Sequence, residues 1–535
     1  MSRFVRASKY RHVYGQVAKR ELCIDNVKLT NSAWDTNLLA ASGRYLSLNW
    51  NASGGGAFAI LPLPSPFEPH GLPSKLPDVI PLARGHTAPV LDTDWSPHDD
   101  ALVASAGDDG QILLWKVEAD TFDGWGAEKW VPRDFDPVLR IGASNRRVGQ
   151  VLFHPTAKHV VAGATGDHVI KLWDIGAPED SQRVLGGHND AIQSFAFDFS
   201  GNLVATTSRD RKLRVFDVRT GGDAVRITDG HGGVKGARVV WMGNQDRLAT
   251  TGFSRMSDRQ IGLWDTAGLK NIKMTTVDQS SGVLMPFYSD NNILFVAGKG
   301  DGNIRYYEYE NDALHPLSEF QSNQPQRGMC FLPRRALNVS ECEIARAYKV
   351  AGSTIEPIAF VVPRKSDSFQ SDIYPPALSA EPAMTAGEFF SGKIAPPKLV
   401  SLESGAISAS EAPYTPISAP AITKSMSTAS SLPVPSPALS RTTSAPAPVP
   451  APAPAPAPTP SPAPEPVKKV EEPKILELEE PVSISGNSSN DDSELKEENS
   501  RLMEELRDAR AQIRNLELQV EGLKANAQKA KAILS

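Results

Sequence analysis

The sequence predicts an all-β fold, a propeller of seven four-stranded sheets, followed by a packed extension, a disordered linker and an α-helical coiled coil. Three observations predict it. A strand pattern ending in an aromatic residue recurs at near-constant spacing, proline and alanine take over in the last third, and the final forty residues return to a strict heptad.

The recurring stretch is seen in "DRQIGLWD", Asp258 to Asp265. The same register places Asp109 with Trp115, Asp167 with Trp173, Asp210 with Phe216 and Asp301 with Tyr307. The aromatics fall at 115, 173, 216, 264 and 307, so they lie 58, 43, 48 and 43 residues apart. A period near 40 to 45 residues matches one blade of a propeller. Apolar residues three and one before the aromatic, such as Ile261 and Leu263, share one face of a strand, and the aspartate occupies the turn entering it. Gly-His pairs precede several copies, at His86, His188 and His231. A His and an Asp together also suggest acid/base catalysis, but the pair recurs from blade to blade and an active site is needed once.

Five copies do not close a ring. A degenerate copy from Trp34 through "LLAASGRYLSLNW" precedes them, and another follows from "PQRGMCFLPRRAL" to "CEIARAYKV", giving seven. Closure removes strand edges that would otherwise invite aggregation. A segment near His12 to Gly15 is expected to complete the last blade beside residues 330 to 350. The propeller is thus assigned to residues 1–354. "GGG" at Gly54 to Gly56 lacks the lysine and helix of a phosphate loop and reads as a hairpin turn; "GKGDG" at Gly298 to Gly302 fails the same test.

Residues 355–400 hold Ile358, Phe360, Phe369, Tyr374, Phe389 and Phe390 among prolines, which predicts an extension packed on one propeller face. Residues 401–490 are rich in Ser, Ala and Pro and cannot bury enough apolar surface to order themselves, so a linker is expected. Its Ala-Pro run suits an extended spacer or a ligand for a proline-recognising domain. "VKKVEEPKILELEEP" within it is either a recognition segment or a solvated end. Residues 491–535 place Leu495, Leu502, Ala509, Leu516, Leu523 and Ala530 at one heptad position. Asn499, Leu506, Ile513, Val520, Ala527 and Leu534 take the other. That seam makes a coiled coil about 60 Å long. Oligomerisation is expected through Leu502, Leu506, Ile513, Leu516, Val520 and Leu523, with Ile and Val at the a positions favouring a parallel dimer.

A formal charge of −6 argues against a nucleic-acid binder. Cys23, Cys330 and Cys342 form no CxxC pair, so neither a disulfide framework nor a metal site is expected. The basic start "MSRFVRASKYR" has no apolar core of a signal peptide, and no run is long enough to span a bilayer, which together place the chain in the cytoplasm. No lone nucleophile has a base at recognisable spacing, so catalytic residues and cofactors are expected to be absent.

The pattern resembles WD-repeat proteins, in which the resemblance implies that the His bonds the turn Asp and a strand Trp. More narrowly, "SKYRHVYGQ", "ASGGGAF", "GHTAPVLDTDWSPHDD", "GFSRMSDRQIGLWD", "PQRGM" and "VPRKSDSFQSDIYP" resemble the coronin family, in a short form of the fungal type. The resemblance implies binding and cross-linking of filamentous actin, regulation of the Arp-containing nucleation complex, assembly into homo-oligomers and a place in cortical actin structures. It implies a basic contact in the first blade, which by position in "CIDNVKLT" is Lys28. Arg6, Lys9, Arg11, Lys19 and Arg20 join it as candidates, because residues 1–30 carry seven basic and two acidic side chains, a local +5. Family coiled coils often carry an Arg-apolar-x-x-apolar-Glu signature linked to trimers; here Gln512 replaces the arginine in "QIRNLE", which leaves dimer and trimer both open.

Overall fold

The computed structural model describes residues 6–68, 72–125, 127, 130–364 and 368–410, all within one compact unit, Met1–Ser427. Among them are seven four-stranded antiparallel sheets. Taken as blades one to six, they span 39–84, 90–142, 148–185, 192–229, 238–278 and 284–320. The seventh joins Gln326–Phe331, Glu343–Ala351 and Thr354–Val361 to an early strand, Tyr14–Val17.

The strands form where the sequence alternates, and they are buried because each sheet is covered by the next. Tyr45 and Phe58 of blade one pack with Trp95, Val103 and Trp115 of blade two. Phe195 and Phe216 of blade four meet Ala162 and Leu172 of blade three, and Trp241 and Trp264 of blade five meet Ala205 and Val215 of blade four. Phe295 and Tyr306 of blade six lie against Ala347 and Phe360 of blade seven. Tyr348 and Ile355 of blade seven then pack on Leu46, Leu48 and Leu61 of blade one, so the cycle closes through apolar contact. Four aromatics of the repeat, Trp115, Trp173, Phe216 and Trp264, are buried in such interfaces, and the fifth, Tyr307, is half-buried.

Closure differs from the sequence expectation in its register. The early strand pairs Tyr14 with Val361 and Val17 with Ile358. It therefore covers the outer strand Thr354–Val361 rather than residues 330 to 350, and His12 lies outside it. A boundary at 354 cuts that strand: the sheets run to Val361, and Ile358 and Phe360 belong to blade seven. The physical reason is that Thr354–Val361 needs a hydrogen-bonding partner on its open edge, which the chain's first strand supplies. Order also passes residue 400, because Lys398–Val400 pairs with both Ala377–Leu378 and Ile407–Ala409.

From Val362 onward the chain crosses one end of the ring, over the turns joining first and second strands. Arg334 of blade seven donates to the carbonyls of Pro375 and Pro376, and His98 of blade two hydrogen-bonds Ala380. In blade three Ala157–Lys158 pairs in parallel with Met384–Thr385. Phe389, on a short helix Ala386–Phe390 started by a Thr385–Glu388 capping box, lies 4.3 Å from the His154 ring.

Residues 30–38 cross the opposite end. Trp34, read from sequence as the start of blade one, lies before its first strand and donates its indole N–H to the Gly149 carbonyl of blade three at 2.7 Å. Thr36 Oγ1 donates to Leu91 O of blade two, and Asn37 O accepts from Met329 N of blade seven. Asp35 pairs with Arg238 of blade five at 3.0 Å and Lys299 of blade six at 2.8 Å. Nine residues thus tie five of the seven blades together. The Gly54–Gly56 hairpin turn has three positive φ angles, and a Cβ on Gly56 would lie 2.0 Å from His86 O, so glycine is required there.

Candidate functional site

The histidines and aspartates of the repeat are wired differently from blade to blade, and only His86 bonds its turn aspartate. In blade two His86 Nδ1 lies 3.0 Å from Asp109 and Nε2 lies 2.7 Å from Ser105 Oγ; the Trp115 indole donates to that same Ser105 oxygen at 2.8 Å. The His and Trp therefore meet through a hydroxyl of the second strand rather than directly. In blade five Thr250 takes that place between His231 and Trp264, and His231 Nδ1 has no partner while Asp258 turns to Ser254 and Gln279. His188 bonds Thr206 and the His168 carbonyl, not an aspartate.

Where Phe216 replaces Trp, the buried Arg214 fills the gap and clasps Asp210 at 2.6 Å. Burial raises the Asp210 carboxyl, but Arg214 and Ser208 outweigh it and bring it well below the usual range. Asp167 accepts from Ser144, and Asp301 pairs with Arg259 of the neighbouring blade at 2.7 Å. Arg259, only 1% exposed, also grips Asp278 and so ties blades five and six. It went unnoticed in "DRQIGLWD" because a buried arginine looks like any solvated one until both its acids, 19 and 42 residues on, are brought to it.

The N-terminal basic residues divide into two groups. Arg6 pairs with Glu308 and Glu310, and Lys9 donates to the Asp372 carbonyl. Lys9 lines a hollow with Asp290, Glu308, Glu310 and Asp372, so the charges of Arg6 and Lys9 stand beside carboxylates. Arg11 is exposed on the same stretch. The second group follows the strand. Lys19 and Arg20 are exposed, with Arg20 held by Asp25 at 2.8 Å. Lys28 stands beside the blade-one hairpin turn, its backbone carbonyl taking the Asn51 N–H.

Lys28 Nζ reaches the Asp78 carbonyl at 3.2 Å and its carboxylate only at 3.7 Å. The Asn26 amide and Lys28 together hold the Asp78 carboxyl below its usual range. Lys75, which sequence reasoning missed, is exposed on the connector bridged to Asp25. Only the fold brings it within this group, since 47 residues separate it from Lys28.

Leu502, Leu506, Ile513, Leu516, Val520 and Leu523 lie outside the described residues, as does the whole linker beyond residue 410. Among the described residues no three His, Cys, Asp or Glu are grouped to hold a metal, and no helix is long and apolar enough to cross a membrane. The three cysteines are buried free thiols, and burial pushes Cys23 up to about 11.

Comparison with known proteins adds the following. Residues 3–67 match a domain of unknown function (DUF1899), residues 79–116, 136–174 and 179–217 match the WD domain, G-beta repeat, and residues 355–397 match a type of WD40 repeat. The chain is similar to coronin-like protein crn1 of Schizosaccharomyces pombe, 53% identical over 404 residues, covering 75% of this chain and 65% of that protein. It thus spans just under two thirds of that relative's length. It is 43% identical to coronin-A of Dictyostelium discoideum over 422 residues, 78% of this chain and 90% of the relative. The WD40 domain of Toxoplasma gondii coronin superimposes with a TM-score of 0.66 at 27% identity, covering 73% of this chain and 97% of that domain.

Proposed function

The chain belongs to the coronin family, and from that premise we propose that it binds and cross-links filamentous actin. The observation that carries the contact is the cationic group around blade one. Lys19, Arg20, Lys28 and Lys75 are exposed and gathered by the connectors that meet at Asp25; Asp25 and Asp78 pair with two of them, and Glu21 is exposed beside Arg20. An acidic filament is drawn to such a face by long-range attraction. Arg6 and Lys9 are engaged with the acidic hollow of blade six and the extension, so they serve the fold more than the contact. Arg11 has neither role assigned by its surroundings.

Cross-linking needs more than one head. A coiled coil over residues 491–535 would supply it, making the second filament contact intramolecular and raising avidity. Regulation of the Arp-containing nucleation complex and a place in the cortical actin cytoskeleton belong to the same reading, as does the absence of catalysis. The test is co-sedimentation with actin filaments at low salt. Lys28→Glu should reduce the bound fraction severalfold, and removal of 491–535 should abolish bundling more than binding. A chain lacking 491–535 that bundles as well as the full chain refutes the avidity mechanism.

A further inference from the structure

We propose that a second basic surface, in the mouth of the ring between blades two, three and four, docks an acidic peptide segment of a partner protein. A hollow of about 560 Å³ lies there, its wall including Trp34, Arg146, Arg147, His168 and Arg209 together with one carboxylate, Asp108. Its three arginines come from two loops. Arg146 and Arg147 precede the first strand of blade three, and Arg209 sits in the hairpin turn of blade four with its backbone N–H fixed on the Ala191 carbonyl.

The charge in this hollow is available in a way that of Arg6 is not, since Arg6 is held by Glu308 and Glu310. The Arg209 guanidinium has no partner among the described residues. Arg146, 70% exposed, reaches Asp167 only at 3.8 Å, and that carboxylate already accepts from Ser144. Arg147 is engaged: it pairs with Asp108 at 3.1 Å and lies 5.1 Å from the centre of the Trp34 ring. It therefore fixes the wall of the hollow while the other two offer planar donor forks to carboxylates. Trp34, Ala164 and Ile192 supply apolar parts of the wall.

The shape selects the occupant. Cations spread over loops of two blades match several carboxylates along an extended chain better than one compact anion. Nucleic acid is disfavoured because the Trp34 indole, the largest ring of the hollow, is already engaged by the Gly149 carbonyl and by Arg147 over its face. The filament contact at Lys28 uses other residues, so the two surfaces fail or succeed separately.

The experiment measures fluorescence anisotropy of fluorescein-labelled decaglutamate with the full chain at about 50 mM salt, within the range where exposed charges are weakly screened. Saturable binding is expected, at least tenfold weaker in Arg209→Glu and in Arg146→Glu, retained in Arg209→Lys and unchanged in Lys28→Glu. Thermal melting of Arg209→Glu should match the parent, since the side chain holds nothing. Absence of saturable binding overturns the proposal, and so does equal weakening by Lys28→Glu. Displacement by inorganic phosphate, where sodium chloride of equal ionic strength has no effect, would reassign the hollow to small anions and overturn it too.

Discussion

Replacing Asp35 by asparagine tests whether the segment crossing the ring mouth holds the blades together. The carboxylate stands 3.0 Å from Arg238 and 2.8 Å from Lys299, whose side chains are 8% and 19% exposed. Burial acts to raise the Asp35 carboxyl, but the two cations outweigh it and bring it below its usual range. Asparagine keeps the shape and removes the charge, leaving two poorly hydrated cations facing each other. Breaking a buried pair costs about 3 to 5 kcal/mol; because Asp35 is one third exposed, about 3 kcal/mol is the reasoned value. The assay is amide hydrogen exchange of residues 30–38 and Met329, with urea unfolding in parallel. A loss of that size corresponds to roughly a hundredfold faster exchange if the crossing segment opens as a unit. Lys299→Met should cost markedly less in the Asp35→Asn background than alone, with a coupling of about 1 to 3 kcal/mol. Exchange altered by less than about threefold, or strictly additive losses, refutes the reasoning.

Asp94 lies in the first strand of blade two, its carboxylate accepting from Phe153 N at 2.7 Å, and burial pushes it up to about 7. Its folded value lies above the unfolded one, so stability falls as pH rises from about 4 through 7 and stays level above. Asp94→Asn keeps the acceptor, and its advantage over the parent in urea midpoint should be larger at pH 8 than at pH 5, by about 2 kcal/mol; an equal difference at both refutes the burial argument. Phe389→Ala should release the extension at a cost of about 3 to 5 kcal/mol, read as early proteolysis between 362 and 410 while the sheets resist; simultaneous loss of both would show one cooperative unit. Deleting the first twenty residues bares the edge of Thr354–Val361 and should lower the melting temperature sharply, and unchanged melting would refute the closure.

The repeat was legible because its cause is local. A strand with one apolar face, a turn aspartate and an aromatic end needs no knowledge of the rest of the chain, and the five aligned copies fall on third strands of successive blades. Trp34 misled for the opposite reason: a lone tryptophan near a degenerate copy looks like the repeat, yet its partner is a carbonyl 115 residues away. The sequence puts the first strand near its observed position but beside residues 330 to 350 instead of Thr354–Val361. Alternation in Glu343–Ala351 and in Thr354–Val361 is equally good, and only the open edge decides which one takes a partner.

Charge is where reading along the chain gives least. The count over residues 1–30 treats neighbours in sequence as neighbours in space, whereas Arg6 meets its acids 302 and 304 residues later and Lys28 meets Asp78 across a connector. The opposite error hides Arg209, whose own neighbours Asp210 and Arg211 make its locality look balanced, although Arg214 occupies Asp210 and leaves Arg209 free to face the hollow. An exposed ion pair is worth about 0 to 1 kcal/mol, too little to shape the fold but enough, with its geometry, to decide which cations remain for a partner. A surface that binds acidic chains is therefore set by which cations the fold leaves unpaired or loosely paired, and at the ring mouth Arg209, with no carboxylate, and Arg146, with one only at 3.8 Å, meet that condition.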